Sequence, residues 1–281
     1  MKRLAKPVVA LIASCTACAA IADPGVAITS SVYANEAWRE ALSAPDNAWH
    51  FGAGALIANV PEYPGSGDTR TALVPLVGAT NGRYFIGTNP DAGAVLSAGA
   101  YLLRDSQWRL GIALTYDFLE PREESDSPRL QGLGDIERTG HAEFFAVYSL
   151  GWAEIRGAVQ ADIGGKDQGT FATLDFMARY QPMPELTLTA GPGLTWGNSR
   201  YNQTFFGIDS EQSARSGRPG YELGNGLNEL RFSVGANYRF TPRWSAAVNV
   251  GLSRLHGDAG DSPIVEKKTQ NSFGLLVAYL F

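Results

Sequence analysis

The segment "NSFGLLVAYLF" (271–281) carries the strongest structural signal in the sequence. Phe273, Leu275, Val277, Tyr279 and Phe281 fall on one parity, and successive side chains of a β-strand point to opposite faces. Chain ends are ordinarily polar and frayed. An apolar, alternating strand that runs to the final aromatic calls for a structure that pairs and shields it. A closed β-barrel in lipid does both: its last strand must pair with its first, because an open edge is not tolerated in hydrocarbon.

The same period-2 pattern recurs upstream. In "NELRFSVGANYRF" (228–240) Leu230, Phe232, Val234, Ala236, Tyr238 and Phe240 oppose Arg231, Ser233, Gly235, Asn237 and Arg239. In "QWRLGIALTYDF" (107–118) the apolar set from Trp108 to Phe118 opposes Arg109, Gly111, Ala113, Thr115 and Asp117. "AEIRGAVQADI" (153–163) sets Ile155, Val159 and Ile163 against Glu154, Arg156, Gln160 and Asp162. "ELTLTAGPGLTW" (185–196) and "RWSAAVNVGLS" (243–253) repeat the pattern. These segments are about twice the usual globular strand length, and roughly ten residues cross a bilayer at a 45° tilt. A β-sandwich also alternates, but it shows its polar face to water and uses shorter strands. Here the polar face is small (Gly, Ala, Ser, Thr, Asn) with single charges of both signs, which suits a crowded barrel interior.

Strands are expected near 49–59, 70–80, 83–88, 93–103, 107–119, 140–150, 153–163, 169–180, 185–196, 229–240, 243–254 and 270–281. Short connectors (Asn81-Gly82, Gly151-Trp152, Thr241-Pro242) contrast with the long segments 120–138, 197–228 and 255–269. Twelve antiparallel strands with short periplasmic turns and long extracellular loops follow the rule for bacterial outer-membrane barrels. Trp49, Trp108, Tyr148, Tyr180, Tyr238, Phe240, Trp244, Tyr279 and Phe281 would form the periplasmic aromatic girdle. Tyr116, Phe118, Phe171, Trp196 and Phe273 would form the outer one. Thirty-two glycines, above the roughly 7% background, fit tight packing and curvature in such strands.

The N-terminus reads as an export signal: Lys2, Arg3 and Lys6, then a short apolar core, then Ala20-Ile21-Ala22 as an A-x-A cleavage site. Loss of 1–22 removes three basic and no acidic groups, taking the net charge from −5 to −8. It also removes Cys15 and Cys18, the only two cysteines. An alternative is acylation at Cys15 in the lipoprotein-box-like Ile12-Ala13-Ser14-Cys15. The domain plan is therefore signal peptide 1–22, periplasmic segment 23–48 and barrel 49–281. The acidic balance gives no reason to expect nucleic acid.

No catalytic set is expected. His50, His141 and His256 each lack a serine two residues on, the spacing that outer-membrane lipid hydrolases would use. No cofactor or metal is expected from these residues. Arg109, Asp117, Glu143, Arg156, Asp162, Asp175, Arg179, Arg231 and Arg239 are read as candidate lumen charges.

Three motifs carry a resemblance: Tyr63-Pro64-Gly65-Ser66, the block Tyr201 to Gly207 with Phe205 and Phe206, and Ser262-Pro263-Ile264 before the last strand. With "YELGNGLNELRFSVGANYRFTPRWS" they make residues 49–281 resemble the MipA/OmpV family of outer-membrane proteins. The resemblance implies a non-enzymatic barrel surrounded by outer-membrane lipid; separately, the alternating apolar residues of the C-terminal strand, Phe273 to Phe281, resemble the signal that the outer-membrane assembly machinery reads. The family resemblance also implies a scaffold role between a lytic transglycosylase and a bifunctional penicillin-binding protein. A small-solute channel and a surface antigen or adhesin are the alternatives.

Overall fold

The computed structural model describes residues 48–281, and twelve strands close into one barrel. On the first half lie β1 (His50–Pro61), β2 (Thr69–Thr80), β3 (Tyr84–Gly87), β4 (Leu96–Arg104), β5 (Trp108–Tyr116) and β6 (Gly140–Ser149). The second half is β7 (Ala153–Asp162), β8 (Thr170–Met183), β9 (Leu186–Gly197), β10 (Gly226–Arg239), β11 (Trp244–Leu255) and β12 (Thr269–Leu280). Each strand pairs antiparallel with its sequence neighbours, and β1 pairs with β12 from Gly52↔Leu280 to Asn59↔Phe273. No helix among the described residues is long and apolar enough to cross a membrane.

The expected parity holds. Phe273, Leu275, Val277 and Phe281 are exposed on the outer wall, while Ser272, Leu276 and Ala278 are buried inside. An exposed apolar outer surface is what lipid requires of a barrel. The short-turn aromatics meet in tilted pairs: Trp108 and Tyr148 at 4.6 Å between centroids, and Trp244 and Tyr279 at 4.9 Å. The outer girdle is thinner than expected. Tyr116, Trp196 and Phe273 do point outward. Phe118 instead packs inward on the cluster around Leu56 and Val74, and Phe171 turns inward onto Tyr201, 5.1 Å away.

Three short helices stand at the long-loop end: α1 (Ser199–Phe206), α2 (Ser210–Ser216) and α3 (Gly257–Asp261). Asn198 caps α1 by accepting the Tyr201 N–H, and Asp209 caps α2 through the Gln212 N–H, the local chemistry that starts a helix.

Candidate functional site

The interior is filled by two different devices. On the β12–β1–β2 side, Leu56, Val60, Val74, Leu76 and Leu276 form a dry apolar cluster with Ala247 and Val95. On the opposite side Phe85, Tyr101 and Phe145 interlock, with centroids 5.4–6.1 Å apart. Leu56, Leu76 and Phe145 have no solvent exposure at all. Large inward apolar residues like these take the room that the small-residue pattern had suggested.

Between them the β3–β4 hairpin leaves the wall and enters the lumen. Its tip, Thr88–Val95, is buried throughout apart from Ala94. The Asp91 carboxylate accepts from Arg109 Nε at 2.8 Å, Arg109 Nη2 at 3.1 Å and the Tyr101 hydroxyl at 2.9 Å. Arg156 Nε donates to the Asp91 carbonyl at 2.8 Å. Asp91 carries no local signal for this role; the cue in the sequence is Gly87, where the strand stops. Gly87 has φ +85°, and a Cβ there would lie 2.0 Å from the Val77 carbonyl oxygen. Only glycine allows the diversion.

Most of the expected lumen charges do face inward, and they are paired. Arg109 also meets Glu154 at 3.1 Å, which Arg179 reaches at 2.6 Å. Arg156 meets Glu143 at 3.0 Å, and Arg231 bridges Asp175 at 2.6 Å and Glu229 at 3.2 Å. Buried charges persist when paired in this way. Three placements differ from the expectation. Asp117 lies just past β5 at the mouth, 2.9 Å from His141 Nε2. Asp162 ties loop ends, accepting from Thr139 Oγ1 at 2.7 Å and from the Gly164 and Gln168 amides. Arg239 sits at the opposite rim and donates to the Pro184 carbonyl at 3.1 Å.

The long loops close the outer mouth, and the three motifs meet there. Residues 197–228 form part of this cap, through α1, Leu223 and the Gln212 Nε2 donation to the Leu133 carbonyl. Tyr63 is fully buried with Ile264, Ile208, Leu130 and Leu133. Its hydroxyl donates to Glu266 Oε1 at 2.7 Å. Gly65, at φ +94°, receives the amides of Glu266 and Lys267 on its carbonyl. The Ser66 carbonyl accepts from Gln270 Nε2 at 2.9 Å. Tyr201, Phe205 and Phe206 on one face of α1 pack with Ile136, Leu223 and Leu255. Gly207 caps that helix through the Gln203 carbonyl, and Ser262 Oγ donates to the Phe206 carbonyl at 2.6 Å. Pro263 offers its carbonyl to Arg129 Nη1 at 3.1 Å. Arg122 lies beneath, buried, with Nη1 3.4 Å from the Phe205 carbonyl; burial pushes its guanidinium down to about 10. No group of ligands suited to a metal ion occurs among the described residues.

A twelve-stranded barrel with a lipid-facing apolar belt, a charge-paired lumen and a capped outer mouth is an outer-membrane protein. The chain belongs to the family described as MltA-interacting protein MipA, whose model matches residues 51–281. The MltA-interacting protein of Escherichia coli K12 is 25% identical over 187 residues, covering 66% of this chain and 75% of that protein. Outer membrane protein OmpV of Vibrio cholerae is 24% identical over 203 residues, 72% of this chain and 70% of OmpV. Among solved structures, a loop-deleted OmpT of Vibrio cholerae aligns at TM-score 0.37 and 8% identity, over 83% of this chain and 99% of OmpT.

Proposed function

We propose that this chain is a non-enzymatic, largely closed outer-membrane scaffold whose periplasmic side holds a murein-remodelling enzyme. The observation that carries the reading is the filled interior: Leu56, Leu76 and Phe145 have no exposure, and the hairpin tip at Asp91 fills the space between them. A barrel filled by side chains and capped by loops offers its ends, not its lumen, for function. The name of the Escherichia coli relative, MltA-interacting protein, supports a partner of the lytic-transglycosylase class; a bifunctional penicillin-binding protein is the second expected partner. The short turns and the segment 23–48 are the surfaces proposed to face the wall; residues 23–47 lie outside the described residues.

One observation favours a small-solute channel as the second reading. The inward residues of β8, Thr173, Asp175, Met177 and Arg179, are all partly exposed, so one side of the lumen is wet. Deleting 26–45 while keeping the barrel separates the two. Loss of co-purifying lytic transglycosylase with unchanged single-channel conductance supports the scaffold. Retained co-purification together with a rise in conductance overturns it in favour of the channel.

A further inference from the structure

The barrel wall has a break in its lipid-facing belt. On one side β2 pairs with β1 along its whole length, from His50↔Thr80 to Pro61↔Thr69. On the other side the ladder with β3 covers only Gly78↔Gly87 to Thr80↔Phe85, extended by the Thr88 N–H to the Val77 carbonyl at 2.7 Å. Beyond that point the hairpin turns inward at Gly87. Alternate residues of an antiparallel strand address alternate neighbours. Ala79 and Val77 address β3, so Pro75, Leu73 and Thr71 direct their backbone groups to the same, open side. There, among the described residues, those groups make no hydrogen bond. Proline at 75 already removes one donor from this edge, the position where a strand tolerates it.

The break is sealed on the inside, not bridged. Val95, Phe118 and Leu119 pack against Leu56, Val74 and Leu76. Arg70 Nη2 reaches across to the Glu120 carbonyl at 2.7 Å. The outside stays open: Leu73 is 69% and Val77 66% exposed. Thr71 lies in register with Asn59 and Phe273, Leu73 with Ile57 and Leu275, and Pro75 with Ala55 and Val277. The open edge therefore begins beside an outer-girdle aromatic and descends into the apolar belt. Free backbone groups at that depth are costly unless something accepts or donates to them.

We propose that this edge is a lateral lipid site. An acyl ester or amide carbonyl of an outer-leaflet lipid accepts the Leu73 N–H, and its chain lies along Leu73, Pro75 and Val77. Lipid is the occupant because the edge opens outward into the bilayer, at the headgroup–acyl boundary where such carbonyls sit. A second copy fits less well. Two barrels of like orientation relate by an axis along the membrane normal, so their tilted edge strands cross instead of aligning.

The test is Leu73→Pro, which deletes the donor without touching the β1 ladder. The full-length protein, extracted in mild detergent, is probed by native mass spectrometry with phosphatidylethanolamine and, separately, with lipid A. Leu73→Pro should assemble and stay heat-modifiable like the wild type, yet retain at least tenfold less of the bound lipid. Ile57→Pro, in the same row but inside a ladder, should fail to assemble. Preferential loss of one probe identifies the source as phospholipid or lipid A. Three results overturn the proposal: Leu73→Pro failing to assemble, which would mean that the edge is paired in the membrane; unchanged lipid retention; or a lipid-free dimer as the wild-type species.

Discussion

The Tyr63 hydroxyl donates to the Glu266 carboxylate at 2.7 Å, joining the first outer loop to the last across 203 residues of sequence. Ser127 Oγ donates to the same oxygen at 2.9 Å, so one carboxylate fastens three loops. Tyr63→Phe keeps the buried ring and deletes only the hydroxyl. Hydrogen bonds to charged groups are worth about 1.5–3 kcal/mol, roughly a 10- to 150-fold change in an opening equilibrium at about 1.4 kcal/mol per tenfold. Hydrogen exchange of the Glu266 and Lys267 amides, both bonded to the Gly65 carbonyl, should accelerate by about that factor. Unchanged exchange would show that apolar packing alone holds the cap.

The same carboxylate makes the cap acid-labile. Burial pushes the Glu266 carboxyl up, but the Tyr63 and Ser127 hydroxyls and the nearby Arg129 and Lys267 charges more than offset this and hold it below its ordinary value. Tyr63 is raised far above neutral by burial and stays a donor. A carboxyl whose folded pKa is depressed contributes stability above its unfolded pKa and loses it as pH falls through the folded value. Protection of the cap amides, corrected for intrinsic rates, should be flat at neutral pH and fall below about pH 4. Glu266→Gln should start less protected and show no such fall; an identical acid profile in the variant would place the titrating group elsewhere.

Asp91 is the third target. Removing one partner of a buried charge pair costs about 3–5 kcal/mol, and Asp91→Ala leaves Arg109 without its two-oxygen contact. The barrel ladders do not involve this residue, so assembly should persist while the hairpin tip loosens. Single-channel recordings should show larger and more frequent openings than the wild type. Identical traces would mean that the apolar clusters, not the tip, block conduction.

Orientation is checked with introduced cysteines, because the two native ones lie in 1–22. Ser125, Glu211 and Asp258, exposed in the cap, should react with an impermeant maleimide on intact cells when changed to cysteine. Gly151 and Thr241 variants should stay silent. The reverse pattern would invert the barrel.

The strand plan was legible because a lipid-facing wall forces period-2 alternation over ten or more residues, a signal that no loop produces. The break in the plan was not. The tract around Asn89–Gly93 reads as an ordinary turn, since its inward course depends on Arg109, Tyr101 and Arg156 from separate parts of the chain. Residues 117–119 continue the alternation of β5, yet they leave the wall to cross toward β2, where Phe118 finds Leu56 and Val74. The motifs at Tyr63, Tyr201 and Ser262 were visible as blocks, but only closure of the barrel brings their loops over one mouth.

The terminal strand supplies the last prediction. The Phe281 N–H donates to the Phe51 carbonyl at 3.1 Å, and its ring meets Tyr279 edge-on at 5.0 Å while remaining 74% exposed. Truncating one aromatic removes burial worth about 1.5–3 kcal/mol at most, and a ring this exposed contributes less. If Phe273, Leu275, Val277, Tyr279 and Phe281 form the row read during assembly, deleting Phe281 should lower membrane yield far more than that figure implies. Phe232→Ala, on the lipid-facing surface of β10, is the comparator because it loses a similar ring without touching β12. Yield is measured as the heat-modifiable band in outer-membrane fractions. A large drop for the Phe281 deletion with near-normal Phe232→Ala supports a recognition role, and Phe281→Leu should then recover little. Equal small losses in both would mean that Phe281 is one more lipid-facing ring, with its worth set by area alone.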